Sequence, residues 1–193
     1  MALAELKRSI RAGGVYRRSD LDLLSNAVDR HLRQLVDAGD LVKVAGGLYM
    51  KPRKTKFGFV GPKPKKLVEA FLGDDNFLMF SPNAYNDLGV GTTQLFNETF
   101  VYNHKRHGRF ELAGQKFYFR HDRPFPKKLS REFLLVDLVN NLRSLPEDYD
   151  EVLEGVLEQV QKFNPSVFEK ALESYGTVRT RKLFSKHRNR VAG

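Results

Sequence analysis

The fold of the first third of the chain is decided by residues 26–51, which run NAVDRHLRQLVDAGDLVKVAGGLYMK. Apolar residues in the first half of this stretch recur every three to four positions and predict an amphipathic helix over about Asn26 to Ala38. Ser25 is its predicted N-cap, and Gly39 ends it. Two short apolar segments then flank Ala45-Gly46-Gly47, whose glycines allow the positive φ angles of a tight turn. The stretch therefore predicts a helix followed directly by a two-stranded hairpin.

Two shorter helices are predicted upstream of that stretch. Leu3, Leu6 and Ile10 fall on one face of a helix that ends at Gly13-Gly14, and an extended segment follows. Ser19 is the predicted N-cap of the second helix, which has acidic residues in its first turn. Three short helices and a hairpin within about fifty residues are the element order of a winged helix-turn-helix, which places one helix in the DNA major groove.

The outer face of the third helix carries side chains suited to DNA. A major groove about 12 Å wide accepts one α-helix, and asparagine, glutamine and arginine can hydrogen-bond base edges. The predicted base contacts are Asn26, Arg30, Arg33 and Gln34. The predicted phosphate contacts are Arg17, Arg18, Ser19, Ser25, Lys43, Gly46, Gly47, Lys51, Arg53 and Lys54. Winged helices also dock proteins, and arginines on a helix can simply be solvated, so both alternatives stay open.

Charge is distributed unevenly along the chain, whose 193 residues carry a formal net charge of +10. Residues 1–66 hold 15 basic and 6 acidic residues, a balance of +9. Residues 67–176 hold 12 and 17, a balance of −5, and residues 177–193 hold 6 basic residues and no acidic one. A basic head, an acidic middle and a basic tail predict a polyanion-binding domain joined to a domain with a different role.

Composition excludes several classes of protein. The absence of cysteine excludes disulfides, thiolate metal sites and cysteine nucleophiles. No window approaches the ~18 consecutive apolar residues of a membrane helix, and the first residues carry their charges in the wrong order for a secretory signal. We therefore expect a cytoplasmic protein without a membrane partner.

A change of domain is predicted at residues 51–66, where three prolines and two glycines among many lysines disfavour regular structure. We assign residues 1–56 to the winged helix, residues 57–66 to a basic linker and residues 67–193 to a second domain. The pattern of that second domain predicts a small antiparallel sheet and then a C-terminal helical bundle, so the chain is expected to be an α+β protein. Residues 81–89 are expected to form a short helix with a serine cap and a closing glycine.

Three segments of the head, Val15–Leu21, Val28–Leu35 and Gly39–Tyr49, resemble the N-terminal domain of the AbiEi family. Its members are the antitoxins and transcriptional regulators of bacterial type IV toxin–antitoxin pairs. Ala45 stands at the hairpin turn, where many members carry a basic residue.

The second half of the chain is similar to the same family in Phe80–Gly89, in the strands between Phe100 and Phe119, and in Ala171–Gly176 with the basic helix that follows. The resemblance implies that the N-terminal domain represses its own operon by binding double-stranded operator DNA. It further implies two copies bound to an inverted repeat. No dimerisation heptad is visible in the sequence, so we expect a monomer in solution or two copies on DNA. The C-terminal domain would supply the antitoxin activity against a nucleotidyltransferase-like toxin.

Candidate catalytic and metal sites do not assemble in the sequence. His104 and His107 lack a third ligand at suitable spacing, and the two cations between them would repel a metal ion. Asp74-Asp75 fits ordinary turn chemistry, and the glycines of residues 89–93 lack the lysine and the spacing of a phosphate-binding loop. We expect neither an enzyme nor a metal protein, and no cofactor.

The sequence favours a sequence-specific DNA-binding regulator. Two alternatives stay open: a protein-interaction module whose winged helix docks a partner, and an RNA-binding protein. Two further surfaces have alternative interpretations. The acidic residues between 146 and 158 either load a helix N-terminus favourably or form a docking face for a basic partner. The cations of residues 177–193 are solvated, bind nucleic acid or face a toxin.

Overall fold

The structure is a computed structural model that describes residues 3–56 and 58–191, without the side chains of Lys54, Phe59 and residues 189–191. Within these residues the protein is mixed α/β, with eight α-helices, two 3-10 helices and nine strands in three sheets. The chain divides into two compact units. The first runs to Asp75 and includes Arg109–Phe117, and the second holds Asn76–Gly108 and the residues from Tyr118 onward.

Three short helices open the first unit, namely α1 (Leu3–Ser9), α2 (Arg18–Asp22) and α3 (Val28–Asp37). All three were predicted, but α2 begins one residue before its predicted cap, Ser19. The Asp20 carboxylate accepts a hydrogen bond from the Arg17 backbone N–H at 3.3 Å and so caps the helix from within its first turn. The apolar faces of the helices meet in a core formed by Leu6, Ile10, Leu21, Val28, Leu32, Leu35 and Leu41.

A three-stranded antiparallel sheet completes the arrangement of the first three helices. It consists of β1 (Val15–Arg17), β2 (Val42–Ala45) and β3 (Leu48–Met50) in the order β1-β3-β2. The predicted hairpin is β2–β3, and Gly47 in its turn has a φ of +67°, a left-handed conformation that glycine adopts without strain. The extended segment predicted before α2 is β1, which pairs with β3 across a long sequence separation.

Residues 51–66 contain regular structure where none was predicted. Strands β4 (Arg53–Thr55) and β5 (Gly58–Val60) pair as an antiparallel hairpin. The prediction was wrong because the three prolines of the segment lie outside both strands, so the N–H groups needed for pairing are present.

Helix α4 (Pro64–Leu72) begins with a proline at its first position and packs against β1. The ring of its Phe71 lies 5.0 Å from the ring of Phe110, which belongs to strand β8 (Gly108–Leu112). Strand β8 neighbours β9 (Gln115–Arg120) in the sheet, and residues Arg109–Phe117 from these two strands belong with α4 to the first unit.

Strands β6 (Leu78–Phe80) and β7 (Thr99–Tyr102) pair antiparallel, and the four-stranded sheet has the order β6-β7-β9-β8. It is the small sheet that the sequence predicts for residues 67–193. The short helix expected after β6 is a 3-10 helix (Pro82–Leu88), which Ser81 caps by accepting a hydrogen bond from the Asn83 N–H at 3.3 Å. It ends, as predicted, at Gly89, which has a φ of +69°.

The predicted C-terminal helical region follows. It consists of α5 (Arg131–Asn141), which continues into a 3-10 helix (Leu142–Ser144), α6 (Tyr149–Val160), α7 (Pro165–Tyr175) and α8 (Val178–Val191). Helix α5 is the centre of the second unit because it packs against α7, α8 and the 3-10 helix after β6. None of the helices in the described residues is long and apolar enough to cross a membrane.

Candidate nucleic-acid interface

Helix α3 has one buried and one exposed side. The residues facing the core are Val28, His31, Leu32 and Leu35. Arg30, Arg33 and Gln34 are exposed, and their spacing of i, i+3 and i+4 places them on one side of the helix. Within residues 3–56 and 58–191, none of these three side chains forms a hydrogen bond or an ion pair, so all three are available to a ligand.

Ser25 and His31 shape the turn in front of α3. The Ser25 hydroxyl lies 2.7 Å from Nδ1 of His31 and accepts a hydrogen bond from the Ala27 N–H at 3.2 Å. Ser25 is 8% exposed, so this predicted phosphate contact faces the interior, and it does not cap α3 because the helix begins only at Val28. Asn26 is exposed but lies in the turn before the helix, not on it.

Arg18 is paired with an acid of α3. Its Nε and Nη2 lie 2.7 and 2.6 Å from the two carboxylate oxygens of Asp29, and its Nη1 lies 4.0 Å from Asp22. The hydrogen bonds to Asp29 raise the pKa of the Arg18 guanidinium, and the same bonds lower the pKa of the Asp29 carboxyl. A DNA phosphate that binds Arg18 must therefore compete with Asp29.

Two other predicted phosphate contacts have structural partners inside the first unit. The Arg17 guanidinium lies directly against Gly73, in the space that a Cβ at this position would occupy. Gly73 caps the C-terminal end of α4, where the helix dipole favours a cation. The Lys51 ammonium donates to the Ile10 carbonyl at 3.1 Å, just beyond α1. Ser19 is exposed, on the first turn of α2. Arg17 and Lys51 thus stabilise the unit itself.

The turn of the β2–β3 hairpin is exposed at Gly46 and Gly47, and the Gly47 carbonyl accepts a hydrogen bond from the Arg18 N–H at 2.8 Å. Lys43 on β2 and Arg53 on β4 are exposed. The side chain of Lys54 lies outside the described residues. Within the described residues, the side chains of Lys43 and Arg53 have no acidic or hydrogen-bonding partner. The same is true of Arg30 and Arg33.

The second unit holds a buried polar network that sequence reasoning did not find. The Asp137 carboxylate accepts hydrogen bonds from the hydroxyls of Tyr85 at 2.7 Å and Tyr102 at 2.6 Å. Arg120 donates to the Tyr102 oxygen at 3.1 Å and to Asn141 Oδ1 at 2.7 Å. Burial raises the pKa of Asp137, and the two tyrosine hydrogen bonds partly offset that rise. All five side chains are buried, so the network joins elements of the core and offers no surface to a substrate.

The histidines of the second unit do not converge on a metal site. His107 Nδ1 lies 3.8 Å from Asp122 Oδ1, and its ring lies 5.3 Å from that of His121. His104 packs instead on Phe125, with the ring centroids 4.8 Å apart. In the part of the chain that the structure describes, no group of three or more histidine, aspartate and glutamate side chains could hold a metal ion.

Comparison with known proteins adds no relative, because no family model matches the chain and no curated protein is significantly similar to it. The case for a function therefore depends on the exposed side of α3 and the cations around it.

Proposed function

We propose that the first unit is a winged helix-turn-helix that binds double-stranded DNA, with α3 in the major groove and the β2–β3 hairpin as the wing. The observation that carries the proposal is the exposed side of α3, where Arg30, Arg33 and Gln34 have no intramolecular partner within the described residues. Arginine and glutamine are suited to base edges because each can bind two acceptor or donor groups of one base. The packing of three helices with a three-stranded sheet supports the same proposal.

Phosphate contacts come from the cations that flank this helix. Lys43 and Arg53 are exposed and available, and Arg18 becomes available when its guanidinium exchanges Asp29 for a phosphate. Arg17 and Lys51 contribute through the positive potential of the unit, since their side chains are engaged elsewhere. The balance of +9 over residues 1–66 supports binding to a polyanion.

The biological role we propose is that of a transcriptional regulator and antitoxin of the AbiEi type. Its support is the resemblance of Val28–Leu35, Gly39–Tyr49 and Phe80–Gly89 to that family. In this role the first unit binds the operator of its own operon, and the second unit counters a nucleotidyltransferase-like toxin.

Fluorescence anisotropy tests the proposal with the DNA upstream of the chain's own reading frame, a scrambled duplex and a structured RNA, each at two salt concentrations. We expect tight binding to the upstream DNA only, and its loss in Arg30→Ala/Arg33→Ala. The matched control is Lys127→Ala/Lys128→Ala, which removes two exposed cations from the second unit and leaves α3 intact.

The other outcomes separate the alternatives. Binding that ignores both the DNA sequence and the α3 double substitution would overturn the proposal and favour a protein-docking winged helix. Equal affinity for the RNA and the duplex would favour an RNA-binding protein.

A further inference from the structure

Leu95 is 84% exposed, although the segment that carries it is held on both sides. The Asn83 side chain accepts a hydrogen bond from the Phe96 N–H at 2.6 Å and donates to the Phe96 carbonyl at 3.3 Å. Asn86 donates to the Gln94 carbonyl at 3.2 Å. Because its neighbours are already ordered, Leu95 can bind a partner with little loss of backbone entropy.

The segment around Leu95 runs alongside helix α6. Its contacts begin just before α6 and advance into the helix as the segment runs backward in sequence. The Glu147 carboxylate accepts hydrogen bonds from the N–H groups of Thr93 and Gln94 at 3.3 and 3.1 Å. Further along α6, Glu151 lies beside Gly91, and Gly155 lies against the Val90 backbone. The residues that lead up to Leu95 therefore pack along α6, and Leu95 is exposed at the end of that packed segment.

That face of α6 is acidic. The residues Glu151, Glu154 and Glu158 are exposed and recur along one side of the helix. A favourable helix dipole accounts for acids in the first turn, but Glu154 and Glu158 lie beyond it. Within the described residues these three carboxylates have no cation as an ion-pair partner. We call Leu95 together with Glu151, Glu154 and Glu158 the Leu95 surface.

Helix α8 has the complementary character. Val178 at its start is 62% exposed, and Arg181, Lys182 and Lys186 are exposed on a helix without an acidic residue. The first turn of α8 adjoins the start of α6, because the Arg179 guanidinium donates to the Tyr149 hydroxyl at 3.3 Å. An acidic surface with an exposed leucine and a basic surface with an exposed valine thus belong to the same unit, and the helices that carry their charges are joined at their first turns.

We propose that the Leu95 surface of one copy binds helix α8 of a second copy, and that the contact is repeated by two-fold symmetry. Neighbouring surfaces of opposite charge satisfy the requirement of a two-fold interface, in which each patch meets its complement on the partner. Two identical contacts bury twice the area of one. Exposed ion pairs add little binding free energy, so most of it comes from burial of the apolar side chains. The proposal uses only the second unit and is independent of DNA binding.

Sedimentation velocity of the full chain over a concentration series, at low and high salt, tests this proposal. We expect a monomer–dimer equilibrium that weakens as salt rises, because the complementary charges are screened. Leu95→Ser should weaken the dimer by about tenfold or more, since it removes one large apolar side chain from each of two contacts. The matched control is Val167→Ser, which changes an apolar side chain that is 47% exposed on α7 and should leave the equilibrium unchanged.

Charge reversal makes the test specific to the two surfaces. Glu154→Lys/Glu158→Lys and Lys182→Glu/Lys186→Glu should each be monomeric alone, because each juxtaposes like charges. An equimolar mixture of the two variants should form heterodimers, because both contacts of the mixed pair then bring opposite charges together. Circular dichroism of each variant checks that the fold is retained.

A chain that stays monomeric at every concentration in low salt would overturn the proposal. So would a dimer that neither Leu95→Ser nor the charge reversals weaken, or mixed variants that fail to associate. Because Arg30→Ala/Arg33→Ala reports on DNA separately, the two proposals can fail independently.

Discussion

Arg18 donates hydrogen bonds to both carboxylate oxygens of Asp29, from Nε to Oδ1 at 2.7 Å and from Nη2 to Oδ2 at 2.6 Å. This pair connects the start of α2 to the first turn of α3. The acid is well placed because a carboxylate in the first helical turn interacts favourably with the helix dipole. The same guanidinium stands beside the proposed DNA-binding side of α3. If the proposed DNA complex forms, Asp29 competes with DNA phosphate for the Arg18 guanidinium.

Removing this competitor should strengthen DNA binding. We expect Asp29→Asn to raise affinity for the operator by about threefold to tenfold at low salt, because one more cation can neutralise a phosphate. Asp37→Asn is the matched control, since it removes an exposed acid from the last turn of the same helix without releasing Arg18. Anisotropy titrations of the two variants decide the point, and equal gains would mean that only the overall charge matters.

Base contacts and phosphate contacts should respond differently to substitution. Arg30→Ala or Arg33→Ala should cost about 1–3 kcal/mol on the operator and relax the preference at one base position. Lys43→Ala should weaken all duplexes alike and reduce the slope of log K against log salt by about 0.9. Titrations on a set of single-base operator variants measure both effects, and a uniform loss from the arginine variants would contradict their assignment.

The buried network around Asp137 should make a large contribution to stability. Asp137→Ala leaves two tyrosine hydroxyls without their buried acceptor and removes the negative charge that acts on the buried Arg120 guanidinium, so we expect a loss of about 3–5 kcal/mol in the free energy of unfolding. Asp137→Asn keeps one acceptor oxygen and should lose less. Urea unfolding followed by circular dichroism gives both values, and a loss below about 1 kcal/mol in the alanine variant would contradict the network's role.

The same carboxyl predicts a pH dependence. Burial raises the pKa of Asp137 in the folded state, so the folded protein keeps this proton to a higher pH than the unfolded chain, where the pKa is about 3.9. The contribution of this group to the free energy of unfolding is full below that value and is lost as pH rises through the folded pKa. The contribution of Asp137 is isolated by comparing the free energy of unfolding of Asp137→Asn with that of the original chain across pH. We expect the asparagine variant to become more stable relative to the original chain as pH rises.

Gly155 should not tolerate a side chain, although it lies inside a helix. An alanine there usually stabilises a helix by about 1 kcal/mol. Here its Cβ would lie 2.8 Å from the Val90 carbonyl oxygen, so we expect Gly155→Ala to destabilise the second unit by about 1–3 kcal/mol. Thermal unfolding measures the change, with Gly61→Ala as a control at a position where a Cβ meets nothing within 4 Å.

The helices and strands of this protein were largely determined by local sequence. The spacing of Val28, Leu32 and Leu35 predicts α3, the glycines at 46 and 47 predict the β2–β3 turn, and Ser81 with Gly89 brackets the short helix after β6. Each of these signals acts over a few residues, through helical periodicity, capping or positive φ angles. They also place Arg30, Arg33 and Gln34 on the outer side of α3.

Only the tertiary structure decided which of the predicted site residues are available. Ser25 is buried against His31, Arg18 is held by Asp29, and Lys51 donates to the carbonyl of Ile10. The partners of Asp137 lie 35 and 52 residues away in sequence, so no local pattern could reveal them. Local preference is set by neighbours along the chain, whereas the availability of a polar side chain depends on which distant groups the packing brings within hydrogen-bonding distance.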